Sequence, residues 1–433
     1  MHLLKKHLSE VTFEDVVKFC ETQIPEGVQL DYKKEIPNSL KKHFAAFSNK
    51  KDGLIIIGVE EDPNTGLPVS WDGIDPGKWE EQLHQIAANV DPLPTYKIKT
   101  TNEVNSKVFV LIKIAEGGNP PYYVLNDPNL YVRTGSISKL IDKASPEEAK
   151  SLIAKKTKAI EARRANIEFA QRVFESALEN ADRERQTRYD EAVAKYIKDN
   201  LDDKVLKNFK APTQKEKLGY KTSVFTLELQ PMYPDGILID PKELDDIKNQ
   251  MRVYKSSREF PPLNMNPVQN GLYDFNWSYL GAIYFDLMLG NGLIYRKLDF
   301  RAPYNNNVDI PAIWISSFAS VIITTLLFAR KLYSHVGYFG ELSGKFHVAD
   351  VKNINVVPIR LPGGLYWDDF RQCLLDEYPW ELAKFNTEIL ADNEKLSKYL
   401  SNKLKEVYWS LGYRDLKDDF IEKYFEKEKF FVK

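Results

Sequence analysis

Cysteine is nearly absent from this 433-residue chain, which contains only Cys20 and Cys373. Two cysteines are too few for a disulfide framework or a four-cysteine zinc site, and so the sequence indicates a reducing, cytoplasmic environment. An excess of charge of one sign is also missing, because 60 lysines and arginines face 62 acids and the formal net charge is −2. This balance excludes a uniformly basic nucleic-acid coat but allows a local basic groove.

The common catalytic motifs are missing as well. The sequence has no P-loop, dinucleotide-binding, HExxH or GxSxG pattern, and its six histidines lack the spacing of metal ligands. A zinc enzyme or a histidine-centred triad is therefore not indicated.

One long run without charge, residues 310–329, is long enough to span a bilayer. It contains five serines and threonines and stands alone, which favours a buried core helix and no membrane segment. The first ten residues are too polar for a secretory signal.

The length suits two or three domains, and the pattern predicts an α+β fold in three segments. Residues 1–145 alternate short strands and helices, which predicts an N-terminal α+β domain. Residues 146–205 predict a long helix or coiled-coil linker, and residues 212–433 predict a C-terminal α+β domain that carries no recognisable chemical motif. In this last domain the pattern predicts strands at Val224–Gln230, Lys345–Asp350 and Asn355–Arg360. Besides the apolar run at 310–329, it predicts a helix around Ser278–Leu289 and further helices towards the end of the chain.

The boundary at residue 145 is a helix start. Ser145, Pro146 and Glu148 form a capping-box pattern. Apolar side chains then recur every seven residues, at Ile153, Ile160, Ile167 and Phe174. This seam predicts either a helix that lies along its own chain or a coiled coil that forms a homo-oligomer.

Acidic side chains in two early strands could meet at one end of a sheet. Asp31 and Lys33 lie two residues apart on a predicted half-buried strand, and so both should point to its polar face. Glu26 precedes this strand, and the buried strand Leu54–Val59 ends in three further acids, which are Glu60, Glu61 and Asp62. If the strands are neighbours, these acids could bind a divalent cation while Lys33 neutralises a phosphate. The alternative is a solvated strand edge followed by a charged turn.

Three ordered blocks resemble the AlbA_2 domain, also called the Schlafen-type domain. The first, EGVQLDYK at 26–33, has a glutamate, four residues and then an acid, an aromatic residue and a lysine. The second is AFSNKKDGLIIIGVEED at 46–62, and the third is LYVRTGS at 130–136. Asp31 stands where glutamate is usual, and Asp52 replaces the first glycine of a turn.

The resemblance implies a nucleic-acid-associated domain. In Schlafen-type nucleases three acids bind the metal and cleave transfer or ribosomal RNA, and here they would be Glu26, Asp31 and one acid of the Glu60–Asp62 turn. Arg133, Gly135 and Ser136 would bind a phosphate or nucleotide.

The resulting hypothesis is a protein that binds transfer-RNA-like RNA or DNA and acts as an endoribonuclease with Mg²⁺ or Mn²⁺. It would serve phage defence or a stress response. Glu26, Asp31, Lys33 and Glu61 would carry the catalysis. Two alternatives stay open. One is a non-catalytic module that binds DNA, RNA or a nucleotide, and the other is an oligomeric assembly protein organised by the long helix.

Overall fold

The computed structural model describes residue 3 and residues 8–134, 141–198, 224–233, 238–255, 258–277, 283–299, 312–357, 371–383 and 385–412. The fold is α+β, as the sequence predicts, with a long helix between an N-terminal and a C-terminal part. The helices are α1 Phe13–Glu21, α2 Leu40–Lys50, α3 Trp79–Ala87, α4 Pro146–Lys198, α5 Leu244–Met251, α6 Ile315–His335, α7 Thr387–Ala391 and α8 Asn393–Ser410.

The N-terminal part is built on short strands. They are β1 Leu30–Lys33, β2 Gly53–Ile57, β3 Glu60–Glu61, β4 Pro68–Ser70, β5 Val90–Asp91, β6 Tyr96–Thr100, β7 Val110–Ile114, β8 Tyr123–Val124, β9 Tyr131–Arg133 and β10 Ile141–Lys143. The central sheet has the order β1–β2–β7–β6, with β1 parallel to β2 and the other neighbours antiparallel.

Two apolar clusters cover the two faces of this sheet. Every residue of β2 is buried, as its continuous apolar run predicts. Ile55 and Ile57 pack in the cluster that contains α2 and α3, whereas Leu54 and Ile56 pack in the cluster that contains α1. The sheet is therefore a buried middle layer that fixes where β1 and β2 end.

The C-terminal part contains the remaining strands. They are β11 Val224–Pro231, β12 Val253–Lys255, β13 Arg258–Phe260, β14 Asn266–Val268, β15 Gly271–Trp277, β16 Ile283–Leu289, β17 Ile294–Asp299, β18 Ala312–Trp314, β19 Leu342–Ala349, β20 Asn355–Val357, β21 Arg371–Gln372 and β22 Glu377–Glu381. The main sheet is antiparallel, with the order β14–β15–β16–β17–β11–β19–β22.

The apolar helix α6 packs against this sheet. Val321, Ile322 and Leu326 are buried in the same cluster as Leu229 and Phe346 of the sheet. The predicted core helix is therefore confirmed, although it begins at Ile315 and Ala312–Trp314 forms a strand. None of the described helices is long and apolar enough to cross a membrane.

The helix α4 begins at the predicted capping box. The Ser145 N–H donates to Glu148 Oε2 at 2.9 Å, and the Glu148 N–H donates to Ser145 Oγ at 3.2 Å. Further along, Ala170 and Phe174 are buried against the C-terminal sheet, while Ile153 and Ile160 are 64% and 49% exposed. The second half of the apolar seam therefore packs against the C-terminal sheet of the same chain.

The helix predicted around Ser278–Leu289 is wrong where the structure describes it, because Ile283–Leu289 is the strand β16. The run IYFDLML is buried on both faces, since Phe285 and Leu287 pack towards α4 whereas Met288 packs in the α6 cluster. A strand buried on both faces has no alternating pattern to distinguish it from a helix. The strands predicted at Lys345–Asp350 and Asn355–Arg360 are present in β19 and β20, and residues 358–360 lie outside the described residues.

Candidate active site: a carboxylate cluster at the end of β1

The backbone joins the end of β1 to the start of the acidic segment. Lys33 pairs with Ile57 in the parallel register of β1 and β2, which confirms that the two strands are neighbours. The N–H groups of Gly58 and Val59 donate to the Lys33 carbonyl at 2.7 and 3.2 Å. The chain that leaves β2 therefore starts beside Lys33.

Gly58 allows the turn from β2 into β3. Its φ is +101°, and a Cβ at this position would lie 2.7 Å from the Cα of Gly73. A side chain would meet backbone atoms there, and so the turn requires glycine. This turn carries Glu60–Glu61 back to the end of β1.

Glu26 reaches the same place from the other side. Its N–H donates to the Gly66 carbonyl at 2.8 Å, and its Oε1 accepts the Tyr32 N–H at 2.5 Å. The side chain is thereby folded over β1 and is only 7% exposed.

Three carboxylates converge on the ammonium group of Lys33. Its Nζ lies 2.5 Å from Asp31 Oδ1, 3.3 Å from Glu26 Oε1 and 3.3 Å from Glu61 Oε1. The acids come from three separate segments, namely the approach to β1, β1 itself and β3. The structure therefore brings together the four side chains for which catalysis is predicted.

The other two acids of the turn have different partners. Glu60 Oε2 lies 2.9 Å from the Nζ of Lys34, on the exposed surface. Asp62 Oδ1 accepts the N–H groups of Asn64 and Thr65 at 2.8 and 2.9 Å, which stabilises the turn. Of the three candidates for the third acid, the structure places Glu61 in the cluster and leaves Glu60 and Asp62 outside it.

Asp31 is wholly buried, contrary to the expectation that it lies on a polar strand face. Asp31 and Lys33 do share one face of β1, but α2 and β9 cover that face. The Arg133 Nη1 donates to Asp31 Oδ2, and the His43 Nδ1 lies 2.8 Å from the same oxygen. The carboxylate is therefore enclosed by cationic and polar side chains and not by water.

Arg133 is a buried partner of β1. It is 2% exposed, its guanidinium lies 4.5 Å from the centre of the Phe47 ring, and its Nη2 donates to the carbonyls of Gly27 and Leu30. The predicted phosphate contact is therefore not available to Arg133 in this conformation. Gly135 and Ser136, predicted with it, lie outside the described residues.

His43 was not singled out by the sequence pattern. It lies one helical turn before Phe47 on α2, on the side of the helix that faces Asp31 and Arg133. The i, i+4 spacing of His43 and Phe47 is a signal for a shared helix face, but only the packing of α2 on β1 shows what that face contacts.

The cluster shifts the pKa values of its members in opposite directions. Burial and the neighbouring Asp31 charge raise the pKa of Glu26 to about 8. Burial would also raise the pKa of Asp31, but His43, Lys33 and Arg133 together lower it well below its ordinary range. Burial by itself would lower the pKa of Lys33, but the charges of Asp31, Glu26 and Glu61 outweigh burial and raise it. The cluster therefore holds one strongly ionised carboxylate next to one that keeps its proton near neutral pH.

The carboxylate oxygens of the cluster are suitable ligands for a hard divalent cation, but they are now spaced around an ammonium group. Carboxylate oxygens are the ligands of Mg²⁺, at about 2.0–2.1 Å. Here the oxygens lie 2.5–3.3 Å from Nζ of Lys33. Within the described ranges, no three histidine, cysteine or acidic side chains form a ready metal site. A metal ion would therefore have to replace the ammonium group and draw the carboxylates inward.

One comparison with known proteins covers the segment that contains the cluster. Residues 26–142 match the family model described as Schlafen, AlbA_2, and this range contains Glu26, Asp31, Lys33 and Glu61. The search found no matching curated protein. Residues 26–142 are therefore similar to a Schlafen-type AlbA_2 domain, and this segment holds the carboxylate cluster.

Proposed function

We propose that the AlbA_2 domain binds nucleic acid and cleaves RNA at the carboxylate cluster, with transfer-RNA-like molecules as the substrate class. The observation that carries this proposal is the convergence of three carboxylates from separate segments on one positive charge. Burying three acids together is costly unless cations compensate them, and clusters of this kind are concentrated at functional sites. A role in phage defence or in a stress response is part of the same proposal.

Each side chain of the cluster has a proposed role. Glu26, Asp31 and Glu61 would hold Mg²⁺ or Mn²⁺, which would stabilise the negative charge that develops on the phosphate during cleavage. Lys33, whose side chain is 19% exposed, would leave the carboxylates and contact the scissile phosphate. Arg133 would keep Asp31 ionised and oriented, because both are buried and paired.

The test uses purified full-length protein and total transfer RNA, with Mg²⁺, with Mn²⁺ and with chelator. Cleavage is expected in the metal lanes alone, and Glu61→Gln is expected to reduce the rate by about 100-fold or more. Glu61 is the best position for this change because its side chain is 27% exposed and its contact in the cluster is the Lys33 ammonium.

Glu60→Gln is the matched control. It removes the same charge from the neighbouring residue, whose partner is the exposed Lys34. Wild-type cleavage is expected from this variant. Cleavage that survives chelation, or an equal loss in both variants, would contradict the proposal.

A second function, binding without cleavage, is favoured by the charge of the cluster. Three carboxylates face two permanent cations, Lys33 and Arg133, and protonation of Glu26 would bring the formal charge to zero. Such a neutral cluster has little need of a metal ion. This function predicts salt-sensitive RNA or DNA binding that needs no metal and is unchanged in Glu61→Gln.

A further inference from the structure

A cavity of about 520 Å³ lies between the N-terminal sheet and the C-terminal part. Lys97 of β6 and Lys113 of β7 line it from one side, and Arg330 and Tyr333 of α6 line it from the other. None of the side chains of the carboxylate cluster contributes to its wall. The cavity is therefore a separate feature, formed where the two parts of the chain meet.

Two lysines oppose each other at this wall. Lys97 and Lys113 are direct partners in the antiparallel register of β6 and β7. Like charges in directly opposite positions destabilise a strand pair. Neither ammonium group forms an ion pair within the described residues; Lys113 instead lies 3.5 Å from the Gly337 carbonyl and 5.4 Å from the centre of the Phe339 ring. Burial lowers the pKa of Lys113, which is a further cost of this arrangement.

Arg330 adds a third positive charge from the C-terminal part. Its Nε donates to the Leu390 carbonyl and its Nη1 to Asn393 Oδ1, both at 2.6 Å. Its Nη2 is buried and has no hydrogen-bond partner, and no carboxylate in the described residues pairs with the guanidinium. Lys113 and Arg330 are thus held by neutral groups, and none of the three cations has a direct counter-ion in the part of the chain that the structure describes.

The acids at the cavity do not neutralise this set. Glu388 lies in the wall but pairs with Lys395 at 2.5 Å, and Glu10 lies at the exposed rim. Asp52 acts on Lys113, and Asp392 acts on Arg330, only at a distance beyond an ion pair. An anionic group between the lysines and Arg330 would relieve the repulsion that the protein alone leaves in place.

We propose that this cavity binds a nucleotide, with its phosphates at Lys97, Lys113 and Arg330 and its base against the aromatic wall. Phosphate groups match three cations that lack carboxylate partners. Tyr338 and Phe339, which are partly exposed, supply the aromatic wall for a flat ring. The volume lies within the range of about 300–1,000 Å³ that is typical of small-molecule sites.

The test measures binding of ADP, pyrophosphate and adenosine to the full-length protein by calorimetry. ADP is expected to bind, and pyrophosphate and adenosine are expected to bind more weakly. Lys113→Met is expected to weaken ADP binding by about tenfold or more, because a charge-assisted contact is lost. The same change should keep or raise the melting temperature of the free protein, since it removes the repulsion with Lys97.

Lys107→Met is the control, because Lys107 pairs with Asp75 at 2.7 Å on the surface outside the cavity. It should leave ADP binding unchanged. Unchanged binding in Lys113→Met, or no binding of ADP at millimolar concentration, would overturn the proposal. Equal affinity for ADP and pyrophosphate would overturn the assignment of the base, and displacement of ADP by an unphosphorylated RNA strand would overturn the free nucleotide as the ligand.

Discussion

Glu26 and Asp31 carry the same chemical group at neighbouring points of one cluster, yet their surroundings favour opposite protonation states. Arg133, His43 and Lys33 surround the Asp31 carboxylate and keep it ionised in spite of its burial. Glu26 contacts the Lys33 ammonium and accepts one backbone N–H, but burial and the Asp31 charge outweigh these contacts and raise its pKa. This separation of pKa values is the pattern expected of a pair in which one carboxyl group stores a proton.

Glu26→Gln is expected to flatten the pH dependence of stability between about pH 5 and pH 8. The pKa of Glu26 rises on folding to about 8, so its contribution is complete below its unfolded pKa of about 4.3 and is lost as the pH rises through 8. The wild type should therefore lose up to about 1.4 kcal/mol of unfolding free energy per pH unit in this window, relative to the variant. Urea unfolding at intervals of one pH unit measures the difference.

The lowered pKa of Asp31 does not interfere with this comparison. Its contribution to stability is present above the ordinary aspartate pKa and is lost only as the pH falls towards its lower folded value. Glu60→Gln, at an exposed carboxylate, should reproduce the wild-type curve. Parallel curves for the wild type and Glu26→Gln would show that Glu26 does not bind the proton.

Elements that are distant in the sequence meet through the buried pair of Asp31 and Arg133. Asp31 belongs to β1 and Arg133 to β9, 102 positions later. The guanidinium also donates to two carbonyls, one in the approach to β1 and one in β1 itself. The pair therefore joins β9 to the edge of the central sheet. Breaking it by removing one partner leaves an uncompensated buried charge.

Asp31→Ala is expected to lower the unfolding free energy by about 3–5 kcal/mol, because Arg133 would remain buried without its counter-charge. Asp75→Ala is the control, since Asp75 is 81% exposed and its pair with Lys107 should contribute less than about 1 kcal/mol. Chemical denaturation of both variants measures the difference. Equal small losses would mean that the Asp31–Arg133 pair does not hold these elements together. Loss of activity in Asp31→Ala alone would therefore not identify a catalytic role.

The sequence predicted the elements best where their periodicity is strong. The buried strand β2, the capping box of α4 and the acids of the cluster were all visible in the pattern. The burial of Asp31 and the part played by His43 were not, because both depend on α2 and β9 packing over β1. The strand β16 was mistaken for a helix, since burial on both faces removes the alternation that marks a strand.

At the scale of the whole molecule, α4 contacts both parts of the chain. Lys155 Nζ donates to the Asn49 carbonyl at 3.2 Å, and Arg163 donates to the Met232 carbonyl. Phe174 then packs under the C-terminal sheet. Part of the heptad seam therefore attaches the helix to its own chain. Periodicity in the sequence could not distinguish this attachment from pairing with a second copy.

The exposed part of the seam provides the test for a homo-oligomer. If two copies pair through α4, changing Ile153 and Ile160 to lysine should convert a dimer to a monomer in light scattering, because both side chains would lie in the interface. The melting temperature of the monomer should stay within a few degrees, since exposed substitutions cost about 0.5 kcal/mol or less. Ile167 is unsuitable because it packs on the C-terminal sheet. An unchanged mass would assign the seam to contacts within the chain.

The length and attachments of α4 have a mechanical consequence. The contacts of α4 with the two parts lie close together, because Lys155 and Phe174 are 19 positions apart, which is about 28 Å along the helix. Its N-terminal turns hold Asn49, whose side-chain amide donates to the backbone of Tyr131, two residues before Arg133. A shift of the C-terminal sheet along α4 would therefore reach Asn49 and, through Tyr131, the strand that carries Arg133.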